Sequence, residues 1–140
     1  MNILILEGPN LNLLGLKSAS LNDRLTLDRL NKAIRNHTVK DDTKLKFLQT
    51  HKLFQAINFL QRNRNWADGL LLIPTSWAKN EITILETINL INIKTAVVFF
   101  NKDYSFGTGQ EDSIIKGENI KGFIGEPIIA CIDGLNFLLA

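Results

Sequence analysis

Cysteine occurs once in these 140 residues and histidine twice. A lone thiol excludes an intramolecular disulfide, and Cys131 lies in the apolar stretch Ile128-Ile129-Ala130-Cys131-Ile132, where a buried, inert role is expected. No metal-ligand spacing and no Ser-His-Asp arrangement is present, so no metal is expected. His37 and His51 fall near the end of a helical segment and just after a strand, where helix termination and surface solvation account for them.

An excess of one charge is also missing: 16 Lys and Arg stand against 14 Asp and Glu, a net charge of +2 with no long basic run, which excludes a nucleic-acid footprint. The opening apolar run has no basic segment ahead of it. It is too short for a signal h-region or a transmembrane helix, so a cytoplasmic protein without a membrane partner is expected. Gly107-Thr108-Gly109-Gln110-Glu111-Asp112 is neither a Walker loop nor a G-x-G-x-x-G after a strand, and no nucleotide or other cofactor is expected. Glu7 is the only acid at a strand end, too few to hold magnesium as a response-regulator site does. With no linker, repeat or low-complexity tract, residues 1–140 read as a single domain.

Apolar runs of strand length alternate with segments of helical period, as in a parallel sheet covered on both faces. Strands are predicted at Asn2 to Leu6, Lys44 to Gln49, Leu70 to Pro74, Thr95 to Phe100 and Ile120 to Ile124. Thr26 caps a helix through about His37; Leu53, Ile57 and Leu60 space another; Asn80 caps a third carrying Ile84, Leu85, Ile88 and Ile91; and Pro127 opens a closing helix to about Leu139. This order predicts an α/β, flavodoxin-like doubly wound five-stranded parallel sheet with helices on both faces. Ligands of such sheets bind outside the carboxyl ends of the strands, so the loops after Leu6, Ile73 and Phe100 should converge on one crevice.

The first of these loops reads Gly8-Pro9-Asn10-Leu11-Asn12-Leu13-Leu14-Gly15, which resembles, residue for residue, the first loop of the type II 3-dehydroquinate dehydratases. The closing Asp133 to Ala140 is similar to that family's final helix, and the resemblance extends over essentially the whole chain. It implies removal of water from 3-dehydroquinate to give 3-dehydroshikimate, a shikimate-pathway step, by anti elimination through an enolate.

Position by position, the resemblance implies that Asn10 would help hold a water against the enolate. Lys17 stands where the family has an arginine that lowers the pKa of a loop tyrosine, and Asn22 stands in place of that tyrosine, the base. Ile73 and Lys79 replace the asparagine and histidine that bind substrate. Val97 and Phe99 replace the Glu-x-His that protonates the departing hydroxyl. Phe106 and Gln110 occupy the places of two arginines, and Glu86 that of an aspartate reaching a neighbouring subunit's site.

Base and acid are thus absent together, and apolar side chains stand where a polar constellation would be, as in a catalytic site retired by packing. Three readings follow: a non-catalytic family member that binds a small ligand or a partner, a dehydratase with a remodelled site, and an enzyme acting on another small anionic substrate. In the crevice, Asn10, Asn12, Lys17, Lys79, Asn101 and Lys102 are expected at the rim over a floor of Ile73, Val97 and Phe99, suiting a small anionic ligand. The opposing expectation is that Phe99, Phe100 and Phe106 fill the space. A Schiff-base role for Lys79 beside Trp77 is disfavoured by Glu81 two residues away. The resemblance also implies a homo-oligomer, a dodecamer of trimers, and Ile82, Leu90 and Ile93 are apolar beyond what one small sheet can cover.

Overall fold

The computed structural model describes residues 1–140. Five strands, β1 (Asn2–Glu7), β2 (Lys44–Gln49), β3 (Gly69–Ile73), β4 (Lys94–Phe100) and β5 (Ile120–Gly125), form one parallel sheet in the order β2-β1-β3-β4-β5. This is the predicted doubly wound arrangement. Period-two alternation deals the strands' side chains to two cores. Ile3, Ile5, Leu71, Ile73, Val98 and Phe100 meet Leu30 and Ile34 of α2 (Leu27–Thr38) and Leu135 and Leu138 of α6 (Pro127–Leu139) on one face. Leu4, Leu6, Leu70, Leu72, Val97 and Phe99 meet Leu60 of α3 (Leu53–Arg62) and Ile84 and Ile88 of α5 (Ile82–Ile91) on the other. Burial on both faces is why β3 and β4 read as unbroken apolar runs.

Thr26 caps α2 as expected, its Oγ1 accepting from Arg29 N at 3.2 Å. Asn80 does not cap α5. It ends a single turn, α4 (Trp77–Asn80), and α5 starts after Glu81, which makes no side-chain capping bond. The chain turns early because Thr75 adopts a positive φ of 49° and Trp77 N bonds Pro74 O at 3.1 Å, sinking Trp77 into the second core. Ile93, expected on the surface, is also in that core at 5% exposure, since Asn92 ends α5 with φ 53° and returns the chain beneath the sheet.

Residues 16–25 begin in helix α1 (Leu14–Ser20). Ser18 binds the segment together: its Oγ donates to Leu25 O at 2.7 Å and its carbonyl accepts from Asp23 N at 2.9 Å. No helix is long and apolar enough to cross a membrane.

Candidate functional site

The loops after β1, β3 and β4 meet at the carboxyl edge of the sheet, where a doubly wound fold places its ligands. Gly8 makes the first junction possible: a Cβ there would lie 2.4 Å from Pro74 O, and Gly8 N donates to Ile73 O at 2.8 Å. Thr75 Oγ1 then donates to Pro9 O at 2.8 Å, tying the β3 loop to the β1 loop.

Beneath this junction the space is full. Ile73, Thr75, Val98, Phe99, Phe100, Phe106 and Thr108 surround a void of about 10 Å³, on the order of one water. Phe100 and Phe106 pack edge to face with centroids 6.2 Å apart, and Phe106 carries Lys17 Nζ over its ring at 5.9 Å. Val97 takes no part in this floor. Its side chain points to the opposite core, as its pairing beside Leu72 requires, and Val98 occupies the expected place.

None of Asn10, Asn12, Lys17, Lys79, Asn101 or Lys102 lines the void. Asn10 is exposed in a left-handed conformation (φ 68°) with no side-chain capping bond. Asn12, Asn22, Lys79, Glu86 and Lys102 are likewise exposed, whereas Ile73 and Phe99 are buried at 2% and 5% exposure. Asn101 is half-buried; its N–H donates to Gly125 O at 2.8 Å while its Oδ1 has no partner.

Three polar side chains reach this edge to which the sequence analysis gave no role in the site. His51 Nδ1 accepts from Asn10 N at 3.3 Å, a placement readable from β2 being β1's neighbour. Tyr104, nearly buried in the turn after β4, donates its phenolic proton to the carboxylate of Asp23. Burial and that carboxylate push the Tyr104 phenol up to about 12, and the same bond holds Asp23 below its usual range. Tyr104 is the chain's only tyrosine, and no local pattern pairs it with Asp23.

The third is Glu7, at the end of β1 and 1% exposed. Burial raises its carboxyl from 4.5 to about 8, against the opposing pull of the Asn31 side chain and the Arg35 cation, and its Oε2 has no partner. Burial also pushes the Cys131 thiol far up, with Glu7 adding to the shift, as expected for an inert cysteine. No group of three or more His, Cys, Asp or Glu side chains could hold a metal ion.

Comparison with known proteins places this geometry. The family model for dehydroquinase class II matches residues 1–124. A 3-dehydroquinate dehydratase of Clostridium botulinum (strain 657 / Type Ba4) is 25% identical over 138 residues, covering 99% of this chain and 94% of that protein. One of Clostridium acetobutylicum is 33% identical over 98 residues, 70% of this chain and 68% of that protein. Among solved structures, the type II dehydroquinase from Butyrivibrio crossotus DSM 2876 superposes with a TM-score of 0.84 at 19% identity, covering 100% of this chain and 98% of that one. A 3-dehydroquinate dehydratase-like protein from Bifidobacterium longum gives 0.67 at 10% identity, covering 99% and 95% of the two chains. With its opening octet, its sheet order and a family match running from the first strand into the last, this chain belongs to the class II dehydroquinase family.

Proposed function

We propose that this protein is a dehydroquinase-family member without dehydratase activity, retained for a binding or partner role. The observation that carries the reading is the void of about 10 Å³ bounded by Phe99, Phe100, Phe106 and Ile73 at the carboxyl edge of the sheet. A cyclic polyol acid needs several hundred Å³ and polar groups for its hydroxyls, and the aromatic filling offers neither. Elimination also needs a base and an acid, each worth about 10²–10⁴ in rate. Asn22 has no proton-accepting group suited to the first task, and Phe99 none for the second.

The α5 face supports a homo-oligomer as the form in which the protein acts. Ile82, Glu86 and Leu90 follow at four-residue spacing along one exposed stripe, with Ile82 at 67% and Leu90 at 79% exposure. Purified protein mixed with 3-dehydroquinate at neutral pH should form no dehydroshikimate, followed by absorbance of the conjugated product. Turnover within about a hundredfold of ordinary enzymes, 1–10³ per second, would establish instead the remodelled dehydratase.

A further inference from the structure

A separate cleft of about 320 Å³ lies between the start of α2, the turn after β4 and the start of α6. It lies outside the positions through which this family's dehydration chemistry is carried. Its size falls at the small end of ligand pockets, about 300–1,000 Å³. One molecule of roughly amino-acid size fits such a space.

The chemistry of its walls is mixed in a specific way. Arg24 and Arg29 supply two guanidinium groups, Glu126 and Asp23 two carboxylates, and Leu25, Pro127 and Ile128 an apolar surface between them. Asp23 is already engaged, accepting from the Tyr104 hydroxyl and from Arg24 N at 2.8 Å, so Glu126 is the carboxylate left for a ligand. A simple anion entering the cleft meets two carboxylates; a simple cation meets two guanidinium groups. A molecule bearing both charges on neighbouring atoms, with a short hydrocarbon tail, satisfies every wall at once.

We propose that this cleft binds an apolar α-amino acid as its zwitterion. The arginines take the carboxylate, since a planar guanidinium matches it in a forked geometry. Glu126 takes the ammonium, and Leu25, Pro127 and Ile128 take the side chain. Tyr104 acts through Asp23, keeping residues 23–25 on the cleft wall. The assignment does not depend on whether the dehydratase pocket is closed.

The test is an amide-resolved NMR titration of the full chain with three probes: L-leucine, 4-methylpentanoate, which lacks the ammonium, and 3-methylbutylamine, which lacks the carboxylate. L-leucine should shift amides of residues 23–29 and 126–130 with a Kd of about 0.1–1 mM, the range open to so few ligand atoms. Each single-charge probe should bind at least about tenfold more weakly. Arg29→Gln and Glu126→Gln, both exposed in the free protein, should each weaken L-leucine at least about fivefold with unchanged circular dichroism. The proposal is overturned if those amides do not move at about 10 mM L-leucine, if either single-charge probe binds as tightly, or if both variants bind as the parent does.

Discussion

Tyr104, in the turn after β4, donates its phenolic hydrogen to the carboxylate of Asp23, 81 residues earlier in the loop after α1. One side chain of the only tyrosine thereby fastens the 21–25 segment to the carboxyl edge of the sheet. Ser18 fastens the same segment from within, so the loop is held at two points.

Tyr104→Phe should release the outer of these two restraints. Asp23 loses the largest cause of its lowered pKa, so its carboxyl should titrate nearer the ordinary range in an NMR pH series. Amide exchange at residues 21–25 should quicken. An unchanged Asp23 titration would show that the bond does not persist in solution.

Glu7 makes stability depend on pH in a direction opposite to most acids. In the unfolded chain it ionises near 4.5, but in the fold burial holds it neutral until about 8. Neutral Glu7 therefore favours the fold fully below pH 4.5, and that contribution is lost as pH rises from 4.5 to about 8. Arg35 and Asn31, which face Glu7 from α2, and Cys131 from α6 are the groups against which it titrates. Glu7→Gln should flatten this slope and gain about 3–5 kcal/mol above pH 8. Urea denaturation at pH 5, 7 and 9 checks it; parallel curves for parent and variant would exclude the effect.

Restoring two catalytic side chains should not restore dehydration. In Asn22→Tyr with Phe99→His, the new tyrosine would stand on an exposed loop and the new histidine at the edge of the second core, with nothing to orient the histidine or depress the tyrosine pKa. Dehydroshikimate formation should remain at the blank. Adding Val97→Glu should instead unfold the protein, because Val97 is fully buried in the second core and a carboxylate there is unpaired. A gain above about a hundredfold in the double variant would show that the frame alone supports the chemistry.

The α5 stripe yields a prediction on assembly. Light scattering at micromolar concentration should report a multiple of the 15.8 kDa chain, and Leu90→Lys, which places a charge on a residue 79% exposed in the single chain, should shift it toward monomer. A monomeric parent would leave the exposed leucine without a partner surface.

Most of the fold was legible because its signals are local. Alternating apolar runs placed the five strands to within a residue or two, and Thr26 and Pro127 marked helix starts through chemistry confined to one turn. Asn80 misled for a matching reason: its propensity to cap is local, whereas the burial of Trp77 that starts the turn early depends on a core built by other segments.

For the site, the sequence by itself determined only that Asn22 and Phe99, which the family resemblance sets at the places of a base and an acid, have no side-chain chemistry for those tasks. It also determined the family, through the octet at Gly8–Gly15. Only the tertiary structure decided what fills the gap. Whether Phe100 and Phe106 stand apart or close on one another depends on the pleat that sends Phe99 and Phe100 to opposite faces and on a loop that folds Phe106 back over Phe100. The pairings of Tyr104 with Asp23 and of His51 with Asn10 join segments far apart in the chain. Contacts of that kind follow from strand order and from the competition for buried volume, and no window of neighbouring residues encodes either.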